Sequence, residues 1–217
     1  LWAQEAYVKA SNANGVDRFG YSVAISGDTA IVGAYEGSNQ TTITNGTTSS
    51  ANNTLQSAGA SYIYKRTGST WAQEAYLKAS NADQYDEFGC SVDLSGNTAI
   101  VGAMGEDSNQ TTITNGTTSS PINLPSTSMA GASYIYKRTG NLWAQEAYVK
   151  ASNADMAYNF GSSLALSGDT AIVGAKFEDS NQTTITNGTT SSTDISAPGS
   201  GASFIYRNTS RLFDPDL

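Results

Sequence analysis

The chain has 217 residues, with 11 Lys plus Arg against 19 Asp plus Glu, a net charge of −8 and no basic run. That balance excludes nucleic acid and anionic membranes as partners, since both demand clustered positive charge. There is no histidine, the commonest general base and zinc ligand, and no apolar run near the roughly 20 residues that span a bilayer.

The first element is WAQEAYVKA, Trp2 to Ala10, in which Trp2, Gln4, Ala6, Val8 and Ala10 alternate with Ala3, Glu5, Tyr7 and Lys9. Ala, Glu and Lys also suit an amphipathic helix. The alternation and the β-rich surroundings favour a strand. A polar linker, SNANGVDR, leads to FGYSVAISGDTAIVGA, Phe19 to Ala34. There Phe19, Tyr21, Val23 and Ile25 alternate with small residues, Ser26-Gly27-Asp28 supplies a turn, and Thr29 to Val32 is a β-branched apolar run, so a hairpin is predicted. Gly33-Ala34 closes it with almost no side chain, which suits close approach to another backbone.

SNQTTITNGTTSS follows at Ser38 to Ser50, with Thr41 to Thr44 and Thr47 to Ser50 flanking Asn45-Gly46, and this pattern predicts a small projecting hairpin. A variable loop, Ala51 to Ala58, then leads into GASYIYKR, Gly59 to Arg66, a strand with aromatics on one face. The whole set recurs. Trp2, Trp71 and Trp143 stand 69 and 72 residues apart, and Phe19, Phe88 and Phe160 keep the same intervals. The units are 1–70, 71–142 and 143–217, with Phe213 where a Trp would stand and Asp214, Pro215 and Asp216 as a terminal cap.

The FG opening, the SGDTAIVGA close, GASYIYKR and WAQEAYLKAS together resemble the bacterial FG-GAP repeat family, distant relatives of the blades of the integrin alpha-subunit β-propeller. The resemblance covers nearly the whole chain three times over. It implies an all-β fold of three propeller-type blades, each of about four antiparallel strands plus the projecting hairpin. It guides function weakly, because propellers host many activities.

The linker before each FG is the candidate cation site. Asn12, Asn14 and Asp17, and again Asn81, Asp83 and Asp86, offer oxygens at alternate spacing, whereas the third copy places Tyr158 and Asn159 there. Calcium takes 6–8 oxygens; the same residues also build Asx-turns, and the longer acidic loop of integrin-type blades is absent. Glu106-Asp107 and Glu178-Asp179 are adjacent in sequence, so in a strand they point to opposite faces and cannot flank one glycosidic bond; they read as solvated charge. No nucleophile, phosphate-loop or metalloprotease motif is present, and the expectation is that the chain is not an enzyme.

Asn39, Asn45, Asn52, Asn109, Asn115, Asn181, Asn187 and Asn208 begin acceptor patterns for N-glycosylation. The tyrosines Tyr7, Tyr76, Tyr148, Tyr62, Tyr64, Tyr134 and Tyr136 either stack on sugars or partner chains or sit between blades. Cys90 aligns with Tyr21 and Ser162, which makes it a filler at a tolerant strand position and leaves no intrachain disulfide.

Propellers close with roughly 4–8 blades. Three leave two free edges, with Trp2, Tyr7, Phe204, Tyr206 and Phe213 as candidate contacts. Such edges invite copies of the same chain, as a closed ring or a head-to-tail fibre, unless these residues are a piece of a longer repeat protein. The reading is a non-catalytic extracellular or cell-surface structural protein, adhesive and self-assembling. The alternative is a lectin-like or calcium-dependent adhesion module binding carbohydrate or a cell-surface protein.

Overall fold

In the computed structural model, which describes residues 1–122, 124, 125 and 128–210, the alternating segments form strands and no α-helix. In chain order they are β1 (Ser22–Ser26), β2 (Thr29–Ala34), β3 (Thr44–Asn45), β4 (Ala60–Thr67), β5 (Thr70–Leu77), β6 (Phe88–Ser95), β7 (Thr98–Ala103), β8 (Thr114–Asn115), β9 (Ala132–Thr139), β10 (Leu142–Val149), β11 (Phe160–Ser167), β12 (Thr170–Ala175) and β13 (Ala202–Arg207). They make three antiparallel sheets, ordered β1-β2-β4-β5-β3, β6-β7-β9-β10-β8 and β11-β12-β13.

Sheet and sequence repeat are offset by one strand. The fourth strand of the first sheet, β5, is the outermost long strand (only the two-residue β3 lies beyond it) and carries the tryptophan segment that opens the second sequence unit. In the second sheet β10, inside β8, does the same, and β5 and β10 are termed the outer strands. The first copy of that segment, Trp2 to Lys9, is not a strand and is exposed from Leu1 through Tyr7. The alternation read in this segment is also interrupted. Ile63 pairs with Ala75 and Tyr64 with Gln73, leaving Glu74 as a bulge, and Glu146 repeats it between Gln145 and Ala147. A bulge re-aims the side chains beyond it, and so Ala75, Tyr76 and Leu77 are all buried.

The predicted hairpin also differs. Thr44–Asn45 pairs with Tyr76 and Ala75 of the outer strand, as Thr114–Asn115 pairs with Tyr148 and Ala147. The Gly46 N–H donates to the bulged Glu74 carbonyl, and Gln73 Nε2 holds the returning chain at the Thr48 carbonyl at 2.9 Å.

The sheets are stacked face to face. Ile31 and Ile63 of the first enclose one core with Val92, Leu94 and Tyr134 of the second; Ile100 and Val149 of the second meet Leu164, Leu166 and Phe204 of the third. Each buried aliphatic side chain contributes about 1.5–3 kcal/mol. The phenylalanine of each FG is an edge-on aromatic anchor. Phe88 meets Tyr134 at 5.3 Å and Tyr136 at 6.1 Å, Phe19 meets Tyr62 and Tyr64, and Phe160 meets Phe204 and Tyr206.

Candidate functional site

The joint between sheets is built on backbone contact. The Ser22 hydroxyl donates to the Gly89 carbonyl at 2.7 Å, and Ser91 donates to that of Gly161 at 2.6 Å. Gly59 bridges in parallel to Phe88 and Gly131 to Phe160. A Cβ on Gly33 would overlap the Gly89 carbonyl oxygen, and one on Gly102 would overlap that of Gly161. Gly89 and Gly161 adopt φ of 91° and 89°, a left-handed region that favours glycine.

A lysine is also buried directly after each of β5 and β10. Lys150 Nζ, fully buried, lies 2.8 Å from Glu106 and donates to the Ser108 carbonyl; the Tyr148 hydroxyl donates to the same carboxylate at 2.8 Å. In the first sheet Tyr76 donates to Glu36 at 2.7 Å, Lys78 Nζ stands 3.8 Å from that carboxylate, and Lys78 donates to the Ser38 and Gly59 carbonyls. Burial pushes Lys78 down to about 8 and lowers Lys150, each opposed by its glutamate, while burial raises Glu36. Such a pair costs about 3–5 kcal/mol when one partner is removed, because a charge is left buried alone.

At the two ends these features stand open. Val23 and Ile25 are 67% and 66% exposed, where their equivalents Val92 and Leu94 are 8% and 5%. On the far side Ile172 and Ile205 are 41% and 71% exposed, whereas Ile31 and Ile63 are fully covered. A cavity of about 370 Å³ lies over Ser163, Gly174, Gly201 and Ser203, the positions that receive the next sheet at an internal joint. Glu178 is buried at 1% exposure and accepts from Asn153 Nδ2 at 2.8 Å and from the Ser180 hydroxyl at 2.9 Å, with no lysine among the described residues.

The FG-GAP repeat model matches residues 2–64, 71–117 and 143–191. The chain belongs to the FG-GAP repeat family. In the FG-GAP units here, the FG glycine supplies the carbonyl that crosses each joint and the glycine of the VGA close receives it, as the small residues at Gly33-Ala34 foretell. No curated protein matches the chain.

The linker residues are used locally. Asn12 accepts from Tyr62 and donates to Glu36 and the Ser50 carbonyl; Asn81 accepts from Tyr134 and donates to Glu106. Asp17 accepts the Asn14 N–H and Asp86 the Asp83 N–H, each at 2.8 Å, and Asn14 caps Gly15. Burial, reinforced by Glu106 and Asp107, pushes Asp86 up to about 8, and Asp107 rises to about 6. No cluster of three or more His, Cys, Asp or Glu that could hold a metal occurs among the described residues.

Of the acceptor asparagines, Asn39, Asn45, Asn52, Asn109, Asn115, Asn181 and Asn187 are exposed and Asn208 is half-buried. The Asn45 amide is engaged, donating to the Trp143 carbonyl and accepting the Trp143 N–H. Tyr62, Tyr64, Tyr76, Tyr134, Tyr136 and Tyr148 are buried, and Tyr7 is exposed. Cys90 is buried, and burial pushes its thiol up to about 11. Trp2 is exposed, Phe204 and Tyr206 are half-buried, and Phe213 lies outside the described residues.

The reading of Glu106, Asp107 and Glu178 as solvated charge is overturned, since all three are buried, and sequence reasoning missed Lys78, Lys150, Glu36 and Glu106 as a buried set. Their signal was available: a lysine at a fixed place in every WAQEAY segment and a glutamate just after every VGA.

Proposed function

We propose that the chain is a non-catalytic structural protein of the extracellular space or cell surface, acting by self-assembly through its two open terminal sheets. One observation carries this reading. The equivalents of Val23, Ile25, Ile172 and Ile205 are covered at the first internal joint (Val92, Leu94, Ile31 and Ile63) and buried or half-buried at the second (Leu164, Leu166, Ile100 and Ile135), whereas these four are left exposed at the ends on matching faces. Exposed apolar faces of this kind mark interaction surfaces. Burial of six of the seven tyrosines supports assembly over carbohydrate stacking.

Light scattering of the purified chain tests the reading, with Gly174→Ala beside it. A Cβ on Gly174 meets the Ser163 hydroxyl, which can turn aside, whereas at internal joints it would meet a carbonyl of the next sheet. The expected result is a mass in multiples of 22.6 kDa for the unaltered chain, and a folded 22.6 kDa species for Gly174→Ala with the same melting temperature. An unaltered chain that stays at 22.6 kDa at every concentration, or a variant that assembles equally well, contradicts it.

A further inference from the structure

We infer that the amino-terminal segment Trp2 to Val8 of one copy is the fourth strand of the third sheet of a second copy, with Lys9 closing the ion pair on that copy's Glu178. The inference rests on the assembly reading and says which segment makes the contact.

Three observations converge on it. First, the segment repeats the sequences of β5 and β10, and the third sheet is the one that ends at its third strand among the described residues. Second, the segment is already held where an outer strand of a preceding sheet belongs. The outer strand β5 and the Lys78 that follows it touch the second sheet through Glu74 and Arg138 at 3.5 Å, and through the Lys78 carbonyl, which accepts from Tyr136 at 2.9 Å. The amino-terminal segment touches the first sheet in the same way, through Glu5 and Arg66 at 2.7 Å and the Lys9 carbonyl, which accepts from Tyr64 at 2.8 Å. The other strands of such a preceding sheet are not among the described residues.

Third, the third sheet has the receptors. Glu178 is buried like Glu36 and Glu106 but has no cation among the described residues, and Lys9 and Tyr7 are the sequence equivalents of the Lys and Tyr that serve those two. The constant stretch adds to this. Its 13 residues are identical in all three copies, yet Thr44–Asn45 and Thr114–Asn115 are strands and Thr186-Asn187 is not. The difference follows from the neighbour, since those short strands pair only with β5 and β10. A docked Trp2 to Val8 would offer Thr186-Asn187 the same partner. The register carries over from the two internal examples: Trp2 opposite Asn208, Ala3 opposite Arg207, a bulge at Glu5, Ala6 opposite Ile205 and Tyr7 opposite Phe204.

The test is an intermolecular disulfide in the full chain carrying Cys90→Ser, a change the serine at the equivalent position 162 makes acceptable. Ala3→Cys with Arg207→Cys places directly opposed residues about 4.5–5.5 Å apart, within reach of a disulfide. Ala3→Cys with Asn208→Cys is one residue out of register, on opposite faces. The expected result is covalent linkage between chains from the first pair, a dimer where two copies close a ring and a ladder of multimers where they run on as a fibre, with roughly tenfold less from the second. Lys9→Met should raise the concentration at which assembly begins by roughly a hundredfold.

Equal cross-linking by both pairs, or a disulfide closed within one 22.6 kDa chain, overturns the inference. So does an uncross-linked particle that light scattering finds assembled, and that outcome leaves the assembly reading standing. A chain that never assembles removes both.

Discussion

At the scale of single residues, the molecule places ionisable groups where water is absent. Asp86 is 2% exposed, and burial, with Glu106 and Asp107 nearby, lifts its carboxyl from 3.8 to about 8. The folded chain therefore keeps a proton on Asp86 through a range in which the unfolded chain has released it. Stability from this group is complete below pH 3.8 and is lost as pH rises through about 8. Urea unfolding of the Gly174→Ala chain, where association does not enter, should show a loss on the order of a few kcal/mol between pH 5 and pH 8.5. Asp86→Asn retains an oxygen for the Asp83 N–H and should flatten that slope; a slope as steep as before would show that another group is responsible.

At the scale of elements, identical sequence takes two outcomes because a strand needs an edge to pair with. Gly46 and Gly116 donate to Glu74 and Glu146 at 2.6 and 2.7 Å, whereas Gly188 has no outer strand to donate to among the described residues. Hydrogen exchange on fragments that extend into the differing flanks should find Gly46 and Gly116 protected in dilute solution and Gly188 unprotected. In the assembled state all three should be slow; a Gly188 that exchanges fast in assembled particles would mean its stretch stays unpaired. This dependence on the neighbour marks how far the sequence could be read. The hairpin from Phe19 to Ala34 and the strand from Gly59 to Arg66 were legible, because their period-2 pattern and turn residues are local. The tryptophan segment was legible as a strand but not as a member of the preceding sheet, since a repeat shows its period and not where its fold unit begins. The Glu74 bulge was hidden because it depends on pairing across to Ile63 and Tyr64. The buried lysines escaped notice because an isolated Lys in a polar-looking segment gives no sign of the glutamate about 40 residues away that receives it.

At the scale of the whole molecule, the two ends are different surfaces. One presents Val23 and Ile25 with the exposed amino-terminal segment, and the other presents Ile172 and Ile205 with the edge of β13. Contact between unlike surfaces is heterologous, so it closes a ring or runs on as a fibre according to the rotation between copies. Two copies supply six sheets, inside the roughly 4–8 blades of closed propellers. A particle of twice the chain mass that does not grow with concentration is therefore the ring, and one that grows is the fibre. Either way, blocking one surface must leave the other competent. Val23→Lys with Ile25→Lys buries two unpaired charges at one joint, and Ile172→Lys with Ile205→Lys does the same at the other, while all four positions are solvent-exposed in the single chain. Each variant alone should sediment at 22.6 kDa, and an equimolar mixture should form a particle of twice that mass and nothing larger. A variant that dimerises by itself would point to like surfaces meeting. A mixture that stays at the single-chain mass would mean that these faces do not meet at all.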